Sequence, residues 1–228
     1  MVFLIPLFCG LGIWQLDRAE QKRQLAAALE TRRKLPPLSL NRETPQTNEL
    51  EFRSISADGR FLAQKTVLIE NRKHLGKNGF HVITPLQLAG TEQVVLINRG
   101  WIPRARLTDM MALTTPSVNL RVTGEIALPQ PPALALEFTQ PESEGMPHWP
   151  YLTLDHFAQW SGLKILPFAV LQSPADSGGF VRQWPQPRIS EGMHIGYAIQ
   201  WFAFALITLL IWLRLSLPKQ TPQEATLL

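Results

Sequence analysis

The chain has 228 residues, of which 45% are hydrophobic and 18% charged, and its formal net charge is +4 at pH 7. Its single cysteine, Cys9, excludes an intramolecular disulfide and a zinc or iron–sulfur site built from several cysteines. The basic residues are dispersed and form no patch interleaved with aromatic residues, so the sequence does not indicate nucleic-acid binding.

The first apolar segment covers residues 1–16, MVFLIPLFCGLGIWQL, which carry no charged side chain. As a helix it would extend about 24 Å, slightly less than the roughly 30 Å hydrocarbon core of a bilayer. A cleaved signal peptide is an alternative, although no basic segment precedes the apolar run and no A-x-A site closes it. We predict a first transmembrane helix, which either thins the bilayer or continues a segment that precedes Met1.

Residues 17–191 are predicted to form an extramembrane domain that is mainly β, with minor helices. Up to Leu35 the segment is rich in helix formers and should prolong the first helix until Pro36 stops it. Regularly spaced apolar runs follow and predict an antiparallel sheet or small barrel. They are FRSISADGRF, TVLIEN, GFHVITPL, QVVLINRGW, SVNLRVTGEIAL, ILPFAVLQ and FVRQW. Gly124 is the expected bulge position, and a short helix capped by Asp155 is expected in DHFAQWSG.

The motif NRGWIP, residues 98–103, has two interpretations. Asn98-Arg99-Gly100 is typical of a strand-ending turn in which glycine adopts a positive φ, and this gives the motif a structural role. In the alternative, Arg99 and Trp101 face a partner protein.

The second apolar segment, residues 192–213, contains no Asp, Glu, Lys or Arg. Its 22 residues would form a helix of about 33 Å, which matches the bilayer core, and Trp212 and Arg214 suit a membrane interface. We predict a second transmembrane helix here, followed by a cytoplasmic tail of residues 214–228. Basic residues are more numerous after the first helix than in the tail, but charge counts are a weak guide for a long translocated domain, so composition leaves the domain's side open.

Polar and aromatic residues of the two predicted helices lie at the same membrane boundary. One face of the second helix carries His194, Tyr197 and Trp201. The end of the first helix carries Trp14, Gln15 and Arg18. Such a cluster could bind an amphipathic ligand through a coordinating imidazole, stacking aromatic rings and a cation that pairs with an acid. The alternative is an interfacial belt whose histidine is merely hydrated. No HExxH, GxSxG or P-loop motif is present, so we predict that the protein is not an enzyme.

Five stretches resemble, in order, the Surfeit-locus (Surf/Shy) family of cytochrome c oxidase assembly proteins. They are GIWQLDRAEQK (12–22), FRSISADGRF (52–61), GFHVITPL (79–86), NRGWIP (98–103) and HIGYAIQWF (194–202). The resemblance implies a two-span membrane protein with its domain on the outer side. It also implies haem a binding through the histidine of the second helix, which makes His194 the expected ligand of the haem iron. The absence of an Arg/Ser-rich presequence favours a bacterial inner membrane, with the domain in the periplasm.

The resemblance therefore implies an assembly factor that binds haem a and assists its insertion into subunit I. Expected partners are subunit I, oxidase assembly intermediates, haem a synthase and membrane lipid. The alternative is a scaffold that stabilises an oxidase assembly intermediate without binding haem.

Overall fold

A computed structural model describes residues 3–42, 50–107, 115–116, 118–131, 146–175, 179–185 and 189–217. The chain divides into a helical unit, residues 1–30 with 187–228, and a β unit, residues 31–186. The β unit is shorter than the predicted domain of residues 17–191, because one continuous helix extends past residue 17 to residue 34. The predicted tail lies outside the described residues from residue 218 onward.

The described residues form three longer helices and eight strands. The helices are α1 (Leu4–Lys34), α2 (Leu154–Ser161) and α3 (Gly192–Ser216). The strands are β1 (Leu38–Ser39), β2 (Ser54–Phe61), β3 (Val67–His74), β4 (Lys77–Leu88), β5 (Val94–Pro103), β6 (Leu120–Ala127), β7 (His148–Trp149) and β8 (Ile165–Gln172). As the sequence predicted, α1 ends just before the Pro36-Pro37 pair, since proline lacks the N–H of a helix interior.

Five strands of the β unit close into a small barrel. They pair in the order β2, β6, β8, β5 and β4, and β4 pairs again with β2. Most pairs are antiparallel, as predicted, but β1–β2, β3–β7 and β5–β8 are parallel. Parallel neighbours need a long connection, and the chain between β5 and β8 includes β6, β7 and α2.

Three apolar clusters stabilise the described part of the β unit, and the smallest contains Phe80, Val82 and Phe180. The largest one contains buried residues of the barrel strands, including Ile55, Leu86, Ile97, Val122 and Phe168. The second packs α2 against the sheet through Phe157 and Trp149. Burial of apolar area contributes most of the favourable free energy of folding, so these clusters hold the barrel strands and α2 together.

Three local predictions were wrong. The N-cap of α2 is Thr153, whose hydroxyl accepts a hydrogen bond from the His156 N–H at 3.3 Å, while Asp155 lies in the first turn. Gly124 pairs with Ile55 without a bulge, and it allows close approach, since a Cβ there would clash with the Leu171 carbonyl oxygen. FVRQW forms only an isolated bridge between Val181 and Trp101.

Among the described helices, α3 alone is long and apolar enough to cross a membrane by length and composition. Helix α1 does not meet this criterion, because its apolar residues are followed after residue 16 by a strongly charged half. The structure thus supports one of the two predicted spans.

Candidate functional site

The predicted site lies in the helical unit, where α1 and α3 pack antiparallel. The Gln15 Oε1 lies 2.9 Å from the His194 Nδ1, which joins the two helices near the start of α3. Further along, the ring of Phe8 stacks on Trp201 with centroids 5.8 Å apart. We call residues 4–30 of α1 together with α3 the helix pair.

Small residues form the contact surface of the helix pair. Ala198 and Ala205 are 1% and 6% exposed, and they share a helix face with His194. On α1, a Cβ at Gly12 would lie 2.7 Å from the Phe202 ring, so a larger residue there would have to displace that ring. Small residues at helix contacts let the backbones come close, which is typical of helix packing in membranes.

The burial of these alanines determines where a ligand could lie. Helix α1 occupies the face of Ala198. The apolar surface that remains free lies on the flanks, where Tyr197 is 47% exposed and Trp14 is 49% exposed. A planar ligand of the helix pair would therefore lie on a flank and not between the helices.

The hydrogen bond to Gln15 fixes the tautomer of His194. A carbonyl oxygen only accepts hydrogen bonds, so Nδ1 donates and carries the proton. The lone pair of the neutral ring then resides on Nε2, which has no hydrogen-bond partner among the described residues. Metal-binding histidines commonly have this arrangement, in which the second nitrogen donates to an oxygen that orients the ring.

Arg18 lies one turn along α1 from Gln15. Its Nη1 donates to the Gln21 Oε1 at 2.9 Å, and its guanidinium lies 5.6 Å from the Trp14 ring centroid. The side chain is exposed, and a guanidinium has five N–H donors, so most of them are available to an anion. The structure therefore brings His194 and Gln15 together, places Trp14 and Arg18 beside each other, and leaves Tyr197 on the outer flank.

One contact of the helix pair could not be found from the sequence. The Arg23 Nε lies 3.1 Å from the Glu191 Oε2, and the two residues are separated by 168 positions. This ion pair partly neutralises the charge of the Glu191 carboxylate, which lies less than one helical turn before His194. No sequence pattern links the two residues, because only the packing of the helices brings them together.

The NRGWIP motif is part of the interior of the β unit. Arg99 is 4% exposed, and its guanidinium lies between the rings of Phe61 and Phe180, at 5.2 and 4.6 Å from the centroids. Trp101 is 6% exposed and donates from Nε1 to the Arg72 carbonyl oxygen at 2.8 Å. This burial supports the structural interpretation of the motif over the one in which both side chains face a partner.

The chain thus combines a folded β unit with an apolar helix of spanning length, a combination that fits a membrane-associated protein. Residues 2–206 match the SURF1 family. A SURF1-like protein of Monosiga brevicollis is 27% identical over 217 residues, which cover 89% of this chain and 81% of that protein. The Surfeit locus protein 1 of Gallus gallus is 27% identical, covering 96% and 75%, and that of Homo sapiens 25%, covering 94% and 76%.

The chain belongs to the SURF1 family, whose members are cytochrome c oxidase assembly proteins. Membership implies a role in the assembly of that oxidase, and the family's members are assembly factors, not known enzymes. The three relatives are all eukaryotic.

Proposed function

We propose that this protein assists oxidase assembly by binding haem a at His194 and delivering it to subunit I. The observation that carries the proposal is the 2.9 Å hydrogen bond from the His194 Nδ1 to the Gln15 Oε1. It leaves the lone pair of Nε2 available and orients the ring, and a neutral imidazole is a common axial ligand of haem iron.

The flanks of the helix pair suit the parts of haem a other than its iron. Haem a combines an apolar macrocycle and an isoprenoid tail with two propionates. Tyr197 and Trp14 offer exposed aromatic surface, and Arg18 offers N–H donors for a propionate. A single histidine on an open flank holds its cargo less firmly than a closed pocket, which favours release to an acceptor.

The proposed setting is a bacterial inner membrane crossed by both α1 and α3, with the β unit in the periplasm. The apolar half of α1 supports a second span, because Leu4, Leu7 and Ile13 are 42%, 52% and 63% exposed. Lipid would cover these side chains. Subunit I, assembly intermediates and haem a synthase would then meet the protein at the membrane.

A scaffold that never binds haem is the second candidate. The same His194–Gln15 hydrogen bond would serve it by joining the two helices, and the buried Ala198 and Ala205 would add packing contacts between them. A scaffold needs the helix pair to stay intact, whereas a carrier also needs the free Nε2.

The test is to purify the full chain in detergent from cells that make haem a, as wild type and as His194→Ala. His74→Ala, which alters a histidine of the β unit, is the matched control. We expect a haem a Soret band in the wild type and control and its loss in His194→Ala at equal protein abundance. Unchanged haem in His194→Ala would refute ligation by this residue. Association of haem-free wild-type protein with subunit I would instead establish the scaffold.

A further inference from the structure

Two adjoining clefts in the β unit share the side chains of Arg72, His81 and Trp184. One is a polar cleft of about 260 Å³, and the other is a more apolar cleft of about 280 Å³. We call them together the Arg72 cleft. They belong entirely to the β unit and involve none of the residues of the helix pair.

Arg72 is placed at the cleft by an irregularity in the sheet. The pairing of β3 with β4 shifts between Ile69 and Arg72, so that two residues of β3 oppose Phe80 alone, and Asn71 there has a φ of 56°. A bulge re-aims the side chains beside it, and bulges are frequent next to functional sites. The positive φ at a non-glycine residue is a backbone cost that ordinary strand pairing does not require.

The guanidinium of Arg72 is partly buried and has no ion pair or hydrogen bond among the described residues. Its Nε is buried without an acceptor, and burial lowers the pKa of Arg72. A buried N–H without a partner costs free energy, and a buried cation costs more. By contrast, the buried Arg182 donates from its Nε to the Arg99 carbonyl oxygen at 2.7 Å.

His81 supplies a second, neutral donor. The Asn98 Nδ2 lies 3.3 Å from the His81 Nδ1, and since an amide NH₂ only donates, Nδ1 is the acceptor and Nε2 carries the proton. That N–H has no hydrogen-bond partner among the described residues. Burial, with a smaller effect of the Arg72 charge, lowers the pKa of His81 to about 4, so the ring is neutral at pH 7.

The charge and polarity of the cleft define the ligand. The partly buried Arg72 guanidinium and the neutral His81 N–H suit a planar oxyanion, and an arginine fork matches a carboxylate in two hydrogen bonds. The exposed Lys73, which also lines the polar cleft, adds positive charge that attracts an acid. The adjoining space is lined by apolar side chains that include Ile69, Ile83, Leu128 and Leu171, with Trp184 at the shared wall. Its volume is near the lower end of the roughly 300–1,000 Å³ that is typical of small-ligand pockets.

We propose that the Arg72 cleft binds a small monocarboxylic acid, with the carboxylate on Arg72 and His81 and an apolar body in the adjoining space. The carboxylate accepts hydrogen bonds from both side chains, and the apolar body packs on Trp184. This site is separate from the His194 site and does not depend on haem binding.

The test measures binding of 2-naphthoate to the detergent-purified full chain by isothermal titration calorimetry. We expect Arg72→Gln to weaken binding at least tenfold, and Lys77→Gln, which removes an exposed cation of β4 outside the lining of both clefts, to change it less than twofold. The uncharged isostere 2-naphthamide should bind at least tenfold more weakly than the acid. Thermal unfolding of each variant establishes that the β unit is intact. If Arg72→Gln does not fold, Arg72→Lys replaces it. This variant retains the charge without the planar fork and should weaken binding at least threefold.

Absence of naphthoate binding to the wild type, equal binding of the amide, or unchanged binding by both Arg72 variants would overturn the proposal. So would inorganic phosphate that binds through Arg72 more tightly than naphthoate, because that result would show a simple anion site with no apolar body. Naphthoate binding that needs Arg72 and excludes the amide supports the proposal.

Discussion

A Cβ atom on Gly100 would lie 2.6 Å from the Cβ of Phe180, and Gly100 itself has a φ of 129°. The second residue comes from the segment after β8 that bridges to β5 at Trp101. The chain at NRGWIP therefore combines a positive φ with a close crossing of two segments, and each of these alone favours glycine.

Gly100→Ala should destabilise the β unit by roughly 3 kcal/mol, because backbone strain and steric overlap add. Gly90→Ala is the matched control: Gly90 has a φ of 80° but no atom within 4 Å of a Cβ, so it should lose only about 1 kcal/mol from strain. Thermal or denaturant unfolding measures both. Equal losses in the two variants would show that the crossing with Phe180 does not constrain residue 100.

The stability of the β unit should depend on pH through His81. The folded state lowers the pKa of His81 to about 4 from an ordinary 6.5, so the unfolded state binds more protons between these values. The contribution of His81 to the free energy of unfolding is therefore fully present above about pH 6.5 and is lost as the pH falls toward 4. The loss is on the order of 2 kcal/mol between pH 7 and 4.5.

Denaturant unfolding of the wild type and His81→Gln across this pH range tests the assignment. The variant retains a hydrogen-bond acceptor but does not titrate, so its loss of stability should be smaller by that amount. A residual slope is expected from His156, whose pKa burial also lowers. Parallel curves for the two proteins would contradict the assignment to His81.

Gln15 should control haem a retention through His194. Gln15→Leu removes the acceptor that orients the ring, and loss of such a partner commonly weakens metal ligation about tenfold or more. Gln15→Glu keeps an acceptor and should retain haem. Gln24→Leu, which loses only a hydrogen bond to Glu20 on the exposed side of α1, is the control. The haem-to-protein absorbance ratio reports each outcome, and equal ratios in all variants would exclude a role for Gln15.

Thr153→Ala should destabilise the β unit by about 1 kcal/mol, because it leaves an N–H of the first turn of α2 without its capping oxygen. Thr153→Asn supplies another capping acceptor and should restore most of the loss. Asp155→Asn should have a smaller effect, since Asp155 is not the cap. The comparison is made by thermal unfolding, and a larger loss for Asp155→Asn than for Thr153→Ala would reverse the assignment.

The proposed topology predicts that residues between α1 and α3 lie outside the cytoplasm. A reporter that is active only in the cytoplasm should give no signal when fused after residue 110 and a strong signal when fused after residue 220. A periplasmic reporter at the same positions should give the opposite pattern. Strong cytoplasmic signals at both positions would show that α3 does not cross the membrane in this direction.

The sequence determined the elements whose patterns are local. The charge-free run of residues 192–213 predicted α3, and Pro36 predicted the end of α1, because length, composition and the missing proline N–H act within one segment. Regular apolar runs likewise predicted β2 to β6 and β8, and the motif order indicated the family. The positive φ at Gly100 was predicted, but the strand-ending turn expected there was wrong, because Gly100 lies inside β5 at a register shift against β4.

Only the tertiary structure decided what depends on distant contacts. Closure of the barrel through β2 and β4 and the parallel pairing of β5 with β8 join segments far apart in the chain, and no local pattern encodes such pairs. The same holds for the partner of His194. The sequence placed Gln15 and His194 at one boundary, but helix packing made Gln15 the acceptor and filled the face of Ala198. The Arg72 cleft depends on a bulge and on Trp184 from another segment, so long-range packing alone created it.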